Sequence, residues 1–323
     1  MKNRRIWLFV TTGAFVALIA VYINSQRHLI EYLKNVNLSA VSCLILITIL
    51  SNMFNGLLLR QIASKFNITL IGKEWLGLPF ITAMGNYITP FSGGMIARAS
   101  YLKYRHSFPY LWFVSALGAS YLVYFWVAGI AGIITLMLLF ERSRLYLELI
   151  LFFAGVLLVI SSLAMLPTVK IPGSNWVAVS LNNAIEGWTL IKKDLFLLVK
   201  LALYTLANIL LNGLTFWLAF VALSDSFLSF GTIFLISLFS SFSILLKITP
   251  GNFGISEAVI AFSSGFLGVG AGLGLMVSLL IRATSIIPIF TLGPIFSFVL
   301  TRELAGNRPR KLIQSPHSYS DNS

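Results

Sequence analysis

The feature that most constrains the fold is a series of apolar runs that occupies nearly the whole chain. Only 10% of the 323 residues are charged, whereas about a quarter are charged in a soluble domain. A run of about 18 or more apolar residues is long enough to cross a bilayer as a helix. The sequence therefore predicts an all-α polytopic membrane protein. The apolar runs are residues 6–23, 38–59, 76–90, 109–140, 147–167, 195–223, 229–249, 255–268 and 272–300.

Two places along these runs contain helix breakers. Residues 76–90 end in Pro90, and residues 229–249 are followed by Pro250. Proline and glycine interrupt helices, and non-helical backbone at membrane depth persists only inside protein or beside a wet cavity. We therefore expect two pairs of half-length helices, each with a break between its members. The predicted break residues are Pro90, Gly93, Gly94, Pro250, Gly251 and Gly254.

Loop charges predict how these pairs cross the membrane. If both pairs are re-entrant, about six full transmembrane helices remain and both termini are cytoplasmic. Arg27, Lys34, Arg142 and Arg144 then lie outside, and the cytoplasmic loops collect most of the other Lys and Arg residues, as positive-inside topology requires. The cytoplasmic set is Lys2, Arg4, Arg5, Arg60, Lys65, Lys73, Lys103, Arg105, Lys170, Lys192, Lys193, Arg302, Arg308, Arg310 and Lys311. This bias, with a net charge of +13, predicts a multi-pass protein of the cytoplasmic membrane and no nucleic-acid partner.

The two breaks also repeat along the chain. Ile88-Thr89-Pro90 and Ile248-Thr249-Pro250 are separated by 160 residues. The same offset places residues 38–59 on 198–219 and residues 109–140 on 269–300. A shared offset across several elements indicates an internal repeat, and the loop charges indicate that the halves are inverted. Inverted repeats with broken helices that meet near the midplane are typical of transporters.

This organisation predicts a single transmembrane domain over residues 1–303, with half-repeats of about 1–140 and 141–303. Residues 304–323 are polar, and we expect a disordered cytoplasmic tail. The histidines and the one cysteine have no metal-ligand spacing, so the sequence predicts no metal, no cofactor and no catalytic residue.

Ionisable residues inside the apolar runs are candidate site residues, because such residues usually face the protein interior and mark a pathway. There are four such residues: Arg98, Lys247 and Arg282 are positive, and Glu257 is negative. The helix N-termini at the breaks add partial positive charge. The pattern favours an anionic ligand, such as a phosphate or a phospholipid headgroup. The predicted substrate-binding residues are Arg98, Lys247, Asn252, Ser256, Glu257 and Arg282.

Each ionisable residue also has a structural alternative. Arg98 could reach the cytoplasmic interface, and Lys247 could cap the carbonyl groups of a half-helix. Glu257 stands at the third position after Gly254, where it could cap the following helix. Arg282 could pair with Glu257 for structure alone. If transport uses a proton gradient, Glu257 is the candidate carrier.

The broken motifs resemble the transmembrane region of lysylphosphatidylglycerol synthases, also found in flippase-like membrane proteins. In the second half the resemblance rests on Pro250, Gly251, Gly254 and Glu257, then on Arg282, Pro288 and Gly293. In the first half it rests on Pro90, Gly94 and Arg98. Met95 stands where the family usually has Glu, and GASYLVYFW replaces a charged cluster.

The resemblance implies movement or handling of lipids, without the soluble domain that synthesises lysyl-lipid. The leading hypothesis is a flippase-like transporter that moves an anionic lipid or lipid-linked glycan by alternating access. An integral-membrane transferase, or an accessory protein of lipid or polysaccharide synthesis, is the alternative. Membrane lipids are the expected partners, and a homo-oligomer or pathway partners stay open.

Overall fold

The computed structural model describes residues 36–139, 144–165, 172, 176–224, 228–246 and 248–306. This described part is helical and contains no β-strand. Its α-helices are α1 (Leu38–Lys65), α2 (Gly72–Ile88), α3 (Gly93–His106), α4 (Tyr110–Leu139), α5 (Arg144–Met165), α6 (Trp176–Lys192), α7 (Leu195–Leu223), α8 (Phe230–Phe242), α9 (Ile255–Phe266) and α10 (Ala271–Gly306).

Five of these helices, α1, α4, α5, α7 and α10, are long and apolar enough to cross a membrane. The all-α polytopic fold is therefore confirmed. The five correspond to five of the six predicted spans, and the sixth, residues 6–23, lies outside the described residues. α10 extends to Gly306, three residues into the predicted tail, and the rest of that tail is also outside the described part.

The first broken pair consists of α2 and α3. Phe91 and Ser92 both adopt left-handed backbone between the two helices, with φ of 53° and 56°. The helices then cross at glycines, because a Cβ on Gly85 would lie 2.7 Å from the Cα of Gly94. Glycine is required there since no side chain fits between backbones at that distance.

The second broken pair consists of α8 and α9. The predicted run 229–249 is not one α-helix, since α8 ends at Phe242 and a 3-10 turn follows at Ser243–Leu246. Hydroxyl groups near this end bond to backbone carbonyls, as Ser237 does to Phe234 and Ser241 to Ser237. Such bonds compete with regular helix hydrogen bonding. A second 3-10 turn, Pro250–Asn252, completes the break before α9.

One end of the molecule carries most of the described basic residues, and we call it the basic face. It contains the ends of α1, α3 and α10 and the starts of α2 and α7. Since α2 starts and α3 ends there, the first broken pair returns to the face from which it begins. The ion pairs that join these helix ends are Lys65–Asp194 at 2.8 Å, Lys73–Glu303 at 3.4 Å and Glu74–Arg105 at 3.5 Å.

The opposite face contains the start of α1, the end of α7, the start of α8, the end of α9 and the start of α10. Its apolar core joins Val36 and Val41 to Leu228, Leu267 and Leu273. The second broken pair therefore returns to this face. Which face meets the cytoplasm stays a prediction.

Helices that correspond under the 160-residue offset run in opposite directions between the two faces. α1 runs toward the basic face and α7 away from it, and these two helices pack against each other. The packing partners correspond as well, because α10 packs on α1 and α2 while α4 packs on α7 and α8. This is the arrangement that an inverted repeat requires, and the repeat itself stays a prediction.

The two breaks lie side by side. The backbone N–H of Phe91, in the first break, donates to the carbonyl of Ile248, in the second, at 3.4 Å. Tyr87, at the end of α2, is adjacent to Gly251, whose added Cβ would lie 2.9 Å from the tyrosine ring. The region around both breaks is therefore where a functional site is expected.

Candidate functional site

A polar cavity of about 500 Å³ lies beside the first break. It is bordered by α1, α2, α3, α4, α7 and the end of α8. Hydroxyl and amide side chains form much of its wall, which is unusual among helices this apolar. The polar and charged lining residues are Ser51, Asn52, Asn55, Thr82, Asn86, Arg98, Ser120, Tyr121, Tyr124, Thr205, Asn208, Asn212, Ser240, Ser241 and Ser243.

Arg98 is the one charged side chain among the described lining residues. Its Nε donates to the Thr82 hydroxyl at 2.8 Å, and that hydroxyl donates to the carbonyl of Leu78 at 2.6 Å. No carboxylate lines the described cavity, and Arg98 has no described ion-pair partner. A guanidinium has five N–H donors, so most of its donor capacity remains for a ligand.

Glycine at the first break brings Arg98 to this position. An added Cβ on Gly94 would lie 2.0 Å from the carbonyl oxygen of Thr82 and 2.8 Å from the amide nitrogen of Asn86. α3 can therefore lie directly on α2 only when residue 94 has no side chain. Arg98 follows one helical turn later and reaches Thr82 from there.

The second break is held by a buried ion pair that lies apart from the cavity lining. Glu257 and Arg282 are only 5% and 6% exposed. The Arg282 Nε donates to Glu257 Oε1 at 2.6 Å, and Nη2 contacts the same oxygen. The other carboxylate oxygen accepts the N–H of Gly254 at 2.7 Å. Glu257 therefore caps α9 and pairs with Arg282 at the same time, so both structural alternatives are present together.

Arg282 also fixes the irregular backbone of this break. Its Nη1 donates to the carbonyl of Gly251 at 3.0 Å, and Nη2 donates to the Ser256 hydroxyl at 2.9 Å. The guanidinium lies 5.1 Å from the ring centre of Phe253 and 5.7 Å from that of Tyr87. These contacts tie α10 to the 3-10 turn, to α9 and to the end of α2.

Asn252 connects this network to the cavity. It adopts left-handed backbone, with φ of 57°, and its amide nitrogen donates to the carbonyl of Ser243 at 3.1 Å. Ser243 lines the cavity. The Glu257–Arg282 network therefore contacts the cavity lining through Asn252 and Ser243.

The two halves thus use their charges differently. In the second half, Glu257 and Arg282 neutralise each other on α9 and α10. In the first half, Met95 lies in the first turn of α3, and Arg98 donates to the Thr82 hydroxyl of α2 and lies near Tyr121 of α4. The local charge balance among the described residues is therefore positive at the first break and neutral at the second.

The predicted site residues fall into three groups. Arg98 lines the cavity, whereas Ser256, Glu257 and Arg282 belong to the buried network, with Asn252 between the two. Lys247 lies outside the described residues. Pro90, Gly93 and Gly94 stand between or at the ends of α2 and α3, and Pro250, Gly251 and Gly254 stand between α8 and α9. A binding role for each of the six predicted residues stays a prediction.

Sequence reasoning missed the amides of α1 and α7. Asn52 and Asn55 are three residues apart, and Asn208 and Asn212 are four apart, so each pair shares one helix face. The sequence does contain an indication of their role. Two asparagines on one face of a 28- or 29-residue apolar helix are costly in lipid, so such a face is expected to point into the protein.

A second missed cluster joins α2 to α3 at the basic face. Glu74 is 1% exposed and accepts from the Tyr101 hydroxyl at 2.8 Å, while His106 lies 3.0 Å from the same oxygen. Burial raises the pKa of Glu74, but hydrogen bonds from His106, the Ile71 N–H and Tyr101 outweigh it and lower the pKa to about 2. The carboxylate therefore stays charged and holds the two ends of the first broken pair together.

The described fold and cavity define a class: a polytopic α-helical membrane protein in which two broken helix pairs meet beside a polar, positively charged cavity. The sequence profile of the family described as "Lysylphosphatidylglycerol synthase TM region" matches residues 6–293. The chain belongs to this family, and the resemblance inferred from its breaks is confirmed. No curated protein matches the chain at a significant level. The family relates the chain to lipid handling in membranes.

Proposed function

We propose that the protein is a flippase-like transporter that admits the headgroup of an anionic lipid into the cavity at the first break and moves it across the bilayer. The observation that carries this proposal is Arg98. It is a half-buried guanidinium in a polar cavity whose described lining has no carboxylate. A charge in such a position costs a few kcal/mol of insertion free energy, and an anionic headgroup would offset that cost.

Alternating access between the two halves is part of the proposal. The second break is tied down by Glu257 and Arg282, whereas α3 packs mainly on α2 and has few contacts with α4. We infer that α3 moves, while α2, which packs on α10, and the second break stay fixed during a cycle. The tie between Glu74 and α3 would then define one end state of that movement.

A reconstitution assay tests the central claim. The purified chain is incorporated into liposomes that contain fluorescent phosphatidylglycerol, and the fraction accessible to a membrane-impermeant quencher is followed over time. Removing a charge-assisted hydrogen bond costs about 1.5–3 kcal/mol, so Arg98→Gln should slow lipid movement about 10- to 100-fold. Arg98→Lys should retain much of the rate, because the charge remains.

The control is Arg302→Gln, an exposed cation near the basic-face end of α10. It should leave the rate unchanged. Thermal unfolding first checks that wild type and Arg98→Gln are both folded. If the two proteins then move lipid at equal rates, the cavity is not the transport site. Equal loss in Arg98→Gln and Arg98→Lys would show that geometry rather than charge matters there.

Orientation in the cytoplasmic membrane is a further part of the proposal. The positive-inside bias favours a cytoplasmic basic face and cytoplasmic termini. Cys43 is the one cysteine of the sequence, so Cys43→Ser gives a background for single introduced thiols. A cysteine at Lys103 should react with an impermeant reagent only in inverted vesicles, whereas one at Ser224 should react in intact cells.

Proton coupling through Glu257 stays a separate proposal. Its two oxygens accept from Gly254, Ser256 and Arg282, so protonation would require this network to open. If lipid movement in wild-type liposomes is the same with and without a pH gradient, Glu257 has a structural role only.

A further inference from the structure

The amide groups of the cavity come from two helices that pack against each other. α1 contributes Ser51, Asn52 and Asn55, and α7 contributes Thr205, Asn208 and Asn212. These residues line the same cavity as Arg98. A ligand held by Arg98 therefore has uncharged hydrogen-bonding groups within the same enclosure.

Much of this hydrogen-bonding capacity is unused inside the described protein. Asn208 donates to the Asn55 side-chain oxygen at a long 3.3 Å, and Asn52 donates to the carbonyl of Thr48 at 2.9 Å. Each asparagine amide offers two donor and two acceptor positions. Groups that both donate and accept suit hydroxyl groups, which also do both.

Charge excludes a second class of headgroup. An amine-bearing headgroup would bring a cation near Arg98 with no described carboxylate in the lining to balance it. Like charges at close range repel more strongly beside protein than in bulk water. A phosphate, in contrast, matches the planar guanidinium through paired hydrogen bonds.

The volume fits more than a phosphate. The cavity volume of about 500 Å³ lies within the range of about 300–1,000 Å³ that is typical of small-molecule sites. We propose that the cavity selects a lipid whose phosphate carries a hydroxyl-rich group, a sugar or polyol, over aminoacylated and other amine-bearing lipids. Arg98 binds the phosphate, and the asparagine amides of α1 and α7 form hydrogen bonds with the hydroxyl groups. This inference rests on the proposed function and specifies its substrate class.

Lipid binding to the full chain in detergent micelles, measured by native mass spectrometry, tests the selection. The probes are phosphatidylinositol, phosphatidylglycerol, phosphatidic acid, phosphatidylethanolamine and lysylphosphatidylglycerol. Phosphatidylinositol should bind most tightly and the two amine-bearing lipids most weakly. Soluble inositol phosphate and glycerol phosphate are added as competitors, and a lipid substrate predicts little competition from either.

Two variants separate the roles. Arg98→Gln should weaken all the anionic lipids about 10- to 100-fold. The double variant Asn55→Ala/Asn208→Ala should weaken phosphatidylinositol and phosphatidylglycerol about fivefold or more. It should change phosphatidic acid less than twofold, and this lipid therefore also reports that the variant is folded. Thr135→Val is the control, because its hydroxyl is buried against Ala131 outside the cavity lining.

The outcomes distinguish the inference from the proposed function. Equal binding of lysylphosphatidylglycerol and phosphatidylglycerol, or equal weakening of phosphatidic acid and phosphatidylinositol by the double variant, overturns the selection and leaves the proposed function standing. If the anionic lipids bind Arg98→Gln as tightly as wild type, both the inferred selection and the proposed function are wrong. Competition by soluble inositol phosphate at the affinity of the lipid overturns the lipid as ligand, because the headgroup alone would then suffice.

Discussion

The buried pair of Glu257 and Arg282 makes a quantitative prediction about stability. Arg282→Met leaves a carboxylate that is 5% exposed without its cation, and it removes the bonds to Gly251 and Ser256. Breaking a buried ion pair from one side costs about 3–5 kcal/mol. Because Glu257 keeps the Gly254 N–H as a partner, we expect the lower half of that range.

Removing both charges should cost less than the two single changes together. A buried pair replaced on both sides is often neutral in stability, so Glu257→Gln/Arg282→Met should be no less stable than Arg282→Met alone. The control is Arg302→Met, because Arg302 is exposed on the same helix. Exposed substitutions usually change stability by less than about 0.5 kcal/mol.

Thermal unfolding in detergent at one fixed heating rate measures these differences. With about 2–4 °C in Tm per kcal/mol, a cost of about 3–4 kcal/mol means that Arg282→Met should melt roughly 6–16 °C below wild type, and the double variant no lower. An Arg282→Met protein that melts with wild type would mean that the pair does not hold the break. Strict additivity of the two single changes would mean that Glu257 and Arg282 act independently.

Three further predictions concern the first broken pair. Gly94→Ala should lower the free energy of unfolding by at least about 1–3 kcal/mol, because the added Cβ would lie 2.0 Å from a backbone oxygen. Gly118→Ala is the control, and it should be neutral or stabilising because the space around Gly118 is open. Thermal unfolding compares the two variants. Ser92 has left-handed backbone, so Ser92→Val should be about 1–2 kcal/mol less stable than Ser92→Gly, and equal melting would contradict the strain. The pKa of Glu74 falls from 4.5 to about 2 on folding, so its contribution is complete above about pH 4.5 and is lost as pH falls toward 2. Wild type should lose more Tm than Glu74→Gln across that window, and parallel curves would refute the assignment.

The fold class and the positions of the breaks follow from short-range features of the sequence. Apolar runs predict spans because lipid offers no partner to an exposed backbone. Proline interrupts a helix because it has no N–H to donate; Pro90 follows the end of α2 by two residues, whereas Pro250 opens the 3-10 turn and α8 already ends at Phe242. The capping role of Glu257 was also readable, since it depends on its distance in sequence from Gly254. The family was identifiable because its motif is built from these local breaks.

The sequence could not predict that the site is divided into a cavity and a separate ion pair. Glu257 and Arg282 stand 25 residues apart, and only the packing of α9 on α10 shows that they neutralise each other. The cavity likewise depends on α1 and α7 meeting, which brings Asn55 and Asn208 together across 153 residues. Composition could give the total charge of the membrane region, but it could not assign each charge to the cavity or to the network.

The packing of α2 on α10 has a consequence for how the protein is made. α2 has 17 residues, about 25 Å at 1.5 Å per residue, which is shorter than a bilayer core of about 30 Å. Besides α1 and α3, it packs on the last helix: Phe80 stacks on Phe296, with ring centres 6.0 Å apart, and Met84 packs against Gly293. During synthesis the ribosome therefore produces the first broken pair about 200 residues before the surface that covers it. Until α10 has been made, the first broken pair therefore lacks the helix on which Phe80 and Met84 pack.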